Sequence, residues 1–207
     1  MDKIETIIAR IFSSVFHPLV VPTLGIFILF SLNTYISFSI PSVSQRIILL
    51  IVIFNTAIAP VVSIFMLKRM KIVKSILLES RAERIIPVFI TGLFYFFTFW
   101  VLKQAQLPFI IYFFILSATI IIFLVLIITF HWKISIHMTS IGGLTGFLVS
   151  ASMILKTEIP IIIISAIIIS GLLGYSRIKL KAHTPTEIYA GFILGFSLII
   201  ILTIIFT

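Results

Sequence analysis

Four residue types that can handle a phosphate fall within one short stretch of the 207-residue chain, GYSRIKLKAHTPTEIY: Ser176, Arg177, His183 and Glu187. An imidazole attacks or carries protons near neutral pH, a guanidinium pairs with phosphoryl oxygens, and a carboxylate can fix the tautomer of a neighbouring ring. Thr184, Pro185, Thr186 and Glu187 also read as a helix start, with Thr184 at the N-cap, Pro185 in the first helical position and Glu187 in the third, a capping box. His183 then stands just before unpaired N–H groups and the positive end of a helix dipole, which favours an anion against its ring. The capping box is also an ordinary structural use of Glu187, and the two uses are compatible.

A second cluster, HWKISIHMTSIGG, places Ser135 two residues before His137, so that a hydroxyl and an imidazole can meet one anion. The structural alternative is a serine helix cap beside an interfacial histidine. The third is basic: KRMKIVKSILLESRAER, from Lys68 to Arg84, holds six of the fifteen Lys and Arg residues. Its composition suits a short interfacial helix, in which Lys74 and Arg81, seven residues apart, fall within about 20° of one another. Arg84 would lie about 80° from Lys74. Alone, this segment reads equally as a basic loop that sets topology and meets anionic lipid. Lys179 and Lys181 read as snorkelling side chains.

These clusters need a scaffold, and composition fixes its solvent. Hydrophobic residues make up 61% of the chain and charged residues 10%, whereas soluble domains carry roughly 25% charged residues. The chain is therefore expected to be an all-α, polytopic transmembrane bundle in a lipid bilayer. Apolar runs predict spans at about 18–38, 46–67, 85–102, 107–131, 138–155, 159–175 and 186–206, near the roughly 20 residues a bilayer core requires. The fifth is short and rich in Gly, Ser and Thr, which suits a helix buried among others and leaves six or seven spans. Gly191 with Gly195, Gly142 with Gly146 and Gly171 with Gly174 could let backbones approach closely. No linker or repeat divides 1–207, so one membrane domain is expected, and the first apolar run reads as no removable leader. Cysteine is absent, which removes disulfides and thiolate chemistry.

Taken in order, the clusters resemble the type 2 phosphatidic acid phosphatase superfamily, membrane lipid phosphatases related to vanadium haloperoxidases. That family's pattern is Lys, six residues, Arg-Pro; then Pro-Ser-Gly-His; then Ser-Arg, five residues, His, three residues, Asp. This chain has Lys74 and Arg81 followed by Ala82, then Ile134-Ser135-Ile136-His137, then Ser176-Arg177, His183 and Glu187 in place of Asp. Pro87 lies three residues after Arg84, so Arg84 is the alternative to Arg81. The resemblance covers 74–187 within a motif-bearing part, 74–207. It implies hydrolysis of a phosphomonoester or diphosphate on a lipid headgroup through a phosphohistidine, with no metal or cofactor. His183 would be the nucleophile, Glu187 its orienting acceptor and His137 the general acid and base. Lys74, Arg81 or Arg84, Ser135 and Arg177 would bind the phosphoryl oxygens. The implied partners are the bilayer and a phosphorylated lipid of the phosphatidic acid, phosphatidylglycerophosphate or polyprenyl pyrophosphate class, and the implied location is a bacterial cytoplasmic membrane. A variant reading keeps the same basic mouth but only binds or transports such lipids.

Two candidate spans separate each cluster from the next, so all three are expected at one membrane face. On seven spans, only Arg46, Lys103 and Lys156 of the basic residues fall opposite. Positive-inside bias would make the clustered face cytoplasmic, whereas the resemblance implies the outer face. A membrane cytochrome using two of His17, His131, His137 and His183 is a rival reading, but it gives the paired cations no task. Nucleic acid is not an expected partner, because the basic loop lacks interleaved aromatics.

Overall fold

A computed structural model describes residues 2–75 and 81–206, with only the backbone of Asp2. The described chain is helical: α1 (Asp2–Val15), α2 (Val21–Ser31), α3 (Tyr35–Ser39), α4 (Ser42–Ile53), α5 (Ala59–Arg69), α6 (Arg81–Gln104), α7 (Phe109–Thr129), α8 (Ile136–Leu155), α9 (Pro160–Lys179) and α10 (Pro185–Phe206). A π-helical turn, Phe54–Ile58, joins α4 to α5. Pro60 lies two residues past its end, and proline can neither donate to a preceding carbonyl nor tolerate that carbonyl at α-helical distance, which explains the widened turn.

Among the described residues, six helices are long and apolar enough to cross a membrane: Ser42–Arg69, Arg81–Gln104, Phe109–Thr129, Ile136–Leu155, Pro160–Lys179 and Pro185–Phe206. The first expected span, 18–38, is not one helix. It breaks into α2, whose eleven residues reach about 16 Å, and the single turn α3. Polar side chains at the break take over backbone bonding: Thr34 N–H donates to Ser37 Oγ at 3.2 Å, and that hydroxyl reaches the Leu32 carbonyl at 2.5 Å. The basic segment also departs from expectation. α5 stops at Arg69, residues 70–75 form a turn with Lys71 in the left-handed region (φ 61°), and Arg81 opens α6. Lys74 and Arg81 therefore do not share a helical stripe within the described residues, and 76–80 lie outside them.

Two compact units emerge, one from Met1–Val21 with Ile134–Thr207, the other from Pro22–Lys133. In the second, α6 packs along α7, with the Phe123 ring against Gly92. In the first, α8 and α10 make the most extensive helix pair, and α1 lies along α9. α8 is the most deeply buried of the six spans, as its small residues predict. Its backbone touches that of α10. A Cβ on Gly142 or Gly195 would strike the Phe192 carbonyl or the Thr139 carbonyl respectively, and one on Gly146 would lie 2.8 Å from the Phe196 carbonyl. Gly191 sits the same way on the Ser135 carbonyl, at 2.8 Å. The expected Gly171–Gly174 pair splits, because only Gly174 meets neighbours. Hydroxyls then bridge the helices: Thr203 Oγ1 donates to Ser150 Oγ at 2.7 Å, and Thr145 meets Ser170 at 3.5 Å.

Gly195→Leu should therefore disrupt the first unit, read as loss of a monodisperse peak and a thermal midpoint lowered by at least several degrees in detergent. Gly171→Ala, with open space at its Cβ, should leave both unchanged or slightly improve them. Equal tolerance of the two substitutions would contradict the close α8–α10 contact.

Candidate functional site

α9 runs four residues past its expected end, so Ser176, Arg177 and Lys179 are helical, not part of a loop. The helix closes through Ala182 N–H to the Arg177 carbonyl (3.1 Å) and Lys181 N–H to the Ile178 carbonyl (2.8 Å), with Lys181 in the left-handed region at φ 51°. That reversal delivers His183 directly to the start of α10. The capping box is present in both directions: Glu187 N–H donates to Thr184 Oγ1 at 3.4 Å, and Thr184 N–H donates to Glu187 Oε2 at 3.3 Å.

The same carboxylate oxygen lies 2.6 Å from His183 Nδ1. Glu187 thus serves the cap and the imidazole at once. The His183 side chain is 2% exposed and that of Glu187 12%, so the pair is largely shielded from water. A carboxylate partner places the proton on Nδ1, so that in the neutral ring the lone pair is on Nε2.

Ser135 caps α8. Its buried hydroxyl accepts from Met138 N–H at 3.5 Å, which uses a lone pair and leaves the hydroxyl proton for donation. Its own N–H donates to the Glu187 carbonyl at 3.3 Å, tying the first turn of α10 to the first turn of α8. His137 enters the same neighbourhood: Arg177, His17 and His183 all act on it electrostatically, and one of its ring N–H groups bonds to the Ser13 backbone. Arg177 Nη1 donates to Ser13 Oγ at 3.1 Å. Lys179, read as a snorkelling side chain, pairs with Glu5 at 2.6 Å.

The first unit therefore gathers His183, Glu187, His137, Ser135 and Arg177. Lys74, Arg81 and Arg84 belong to the second unit. There Lys74 N–H donates to Glu83 Oε1 at 3.2 Å, and Arg81 Nη1 donates to the His131 carbonyl at 2.5 Å, while Arg84 is half-buried in the first turn of α6. Among the described residues, no group of three or more His, Cys, Asp or Glu is placed to hold a metal ion.

Sequence reasoning missed Ser13 as a site residue and considered His17 only as a metal ligand. The usable signal was a small and polar stripe, Ala9, Ser13 and His17, spaced by four in an otherwise isoleucine-rich helix and its exit. Ala9 and Ser13 are buried, whereas Ile4, Ile8, Ile11 and Val15 face outward. No protein-family model, curated protein or solved structure matches the chain, so geometry has to support the functional reading.

His17 supplies a pH test. Its ring keeps an accessible edge, yet the protein packed around it and the Arg177 charge lower its pKa below the usual 6.5. A depressed pKa means that the unfolded chain binds the proton more readily. Stability is thus intact above about pH 6.5 and falls as pH drops toward the folded-state value. The groups facing His17 are Arg177 from α9 and His137 from α8. Amide-exchange protection of α1 should decline between pH 7.5 and 5.5, and less steeply in His17→Gln. Identical profiles would contradict this linkage.

Proposed function

We propose that the chain is a membrane lipid phosphatase of the type 2 phosphatidic acid phosphatase kind, hydrolysing a phosphomonoester or diphosphate on a lipid headgroup in a bacterial cytoplasmic membrane. The observation that carries this reading is the His183–Glu187 pair, with one imidazole nitrogen held at 2.6 Å by a carboxylate, in the same unit as His137 in the first turn of α8 and Arg177 in the last turn of α9. In the proposed first step, His183 Nε2 attacks phosphorus and the bond to the leaving oxygen breaks. His137, entering this step as the imidazolium, gives that oxygen the proton on the nitrogen that Ser13 does not hold, while Arg177 balances charge on the nonbridging oxygens. Glu187 steadies the imidazolium that forms, as the acid of a hydrolase triad does. In the second step, His137 takes a proton from water, the resulting hydroxide attacks phosphorus, and the N–P bond breaks to free inorganic phosphate and His183. Ser135 contributes its remaining hydroxyl proton. Lys74, with Arg81 or Arg84, enters this reading from sequence alone.

A binding or transport role for the same lipids draws support from two features. Ile136 stands where the resemblance implies glycine, restricting close backbone approach to a phosphate, and the Arg81 guanidinium already engages a carbonyl. Turnover separates the readings. Purified protein in detergent with EDTA should release phosphate from at least one of phosphatidic acid, phosphatidylglycerophosphate or polyprenyl pyrophosphate, and His183→Ala should lower that rate at least about 100-fold. Glu187→Gln preserves a capping-box residue type but removes the charge, so kcat should fall by roughly ten- to a thousandfold with a near-native thermal midpoint. Undiminished release by His183→Ala would refute the nucleophile, and lipid binding without release would favour transport.

A further inference from the structure

The three motifs leave two imidazoles without a task, and of these His17 belongs to the first unit and His131 to the second. His17 lies in the turn after α1, its ring centroid 5.3 Å from that of His137 with the planes at 82°. Leu19 N–H donates to His17 Nδ1 at 3.3 Å, so the neutral ring carries its proton on Nε2. Among the described residues, this is the only hydrogen bond of the His17 side chain, and the residue remains exposed. Burial of part of the ring and the Arg177 charge favour that neutral, donor-bearing state.

Its position is fixed from several sides. Glu5–Lys179 and Ser13–Arg177 pin α1 to α9, and the Ser13 backbone receives a His137 N–H. Ser140 Oγ donates to the Pro18 carbonyl at 3.4 Å, holding the next residue against α8. His17 is therefore placed by packing and by bonds to two helices, next to the group assigned to protonate the leaving oxygen.

We propose that His17 contacts substrate, donating Nε2–H to the group beyond the oxygen that His137 protonates, and that this selects a lipid diphosphate over the corresponding monophosphate. The inference rests on the phosphatase reading and deepens it. In a monophosphate, the atom beyond the scissile oxygen is an alkyl carbon, which offers no acceptor. In a diphosphate, it is a second phosphorus with nonbridging oxygens that accept the bond and carry the charge of the departing group. A site that donates at that point favours the substrate carrying the acceptor, because only the diphosphate offers the Nε2–H a charged oxygen in place of water. No group is transferred to His17, and the proton balance of the two steps is unchanged.

The test compares polyprenyl diphosphate with the monophosphate of the same chain, using the full-length protein in detergent. Wild type should show at least about tenfold higher kcat/KM for the diphosphate. His17→Phe keeps an aromatic ring against His137 but deletes the donor. It should lower kcat/KM for the diphosphate about ten- to a hundredfold and for the monophosphate by less than about threefold, while His17→Gln, which retains a donor, should recover much of the ratio. Equal loss on both substrates, or none on either, would overturn the specificity role and leave the phosphatase reading standing. A wild-type preference for the monophosphate overturns it without recourse to any variant. Absence of His183-dependent turnover on both polyprenyl lipids overturns this inference, and the phosphatase reading falls with it if phosphatidic acid and phosphatidylglycerophosphate are also left intact.

Discussion

The close approach of two backbones, α8 and α10, is the constraint on which the first unit depends. In lipid there is no hydrophobic force to press helices together, so contact comes from packing and from polar groups that find partners across the interface. Gly142 and Gly146 on one helix and Gly191 and Gly195 on the other remove the side chains that would hold the axes apart. Gly191 is one turn beyond Glu187, and it rests on the carbonyl of Ser135. Packing at that glycine therefore sets the spacing at which Ser135 N–H reaches the Glu187 carbonyl. His137 lies two residues from one of these partners and His183 four residues from the other, so both imidazoles inherit their separation from the glycine contact.

Each imidazole then has one nitrogen occupied. Glu187 holds His183 through Nδ1, and the Ser13 backbone receives an N–H from His137. The partners differ in a way that suits different tasks. A carboxylate stabilises the cation that a nucleophilic ring becomes, whereas a neutral carbonyl orients a ring without holding its proton strongly, as a group that donates and then accepts requires. Arg177 is shared, supplying positive charge near both His137 and His17 while its guanidinium is steadied by Ser13. The N-terminal helix is thus part of the site's framework.

Much of this was legible because it is local. Thr184, Pro185 and Glu187 announce a helix start by type and spacing, and the glycine pairs of α8 and α10 declare close packing by their interval of four. Long-range relations were not legible. Nothing in MDKIETIIAR specifies that Glu5 meets Lys179, because that pairing depends on α1 lying along α9. The first apolar run looked continuous because hydropathy averages over Asn33, Thr34 and Ser37, and at the break the Ser37 hydroxyl captures the Thr34 N–H and the Leu32 carbonyl. The basic segment misled through propensity: its residues favour a helix, but Lys71 adopts a left-handed conformation and α5 terminates before Lys74.

Central to the account is a covalent bond between phosphorus and one particular nitrogen. Rapid acid-free quenching during turnover of a 32P-labelled lipid, followed by peptide mapping, tests it directly. The account predicts an acid-labile, base-stable label on Nε2 of His183 that forms and decays at the rate of phosphate release. Label on another residue, or steady release with no labelled enzyme at any time, would contradict it.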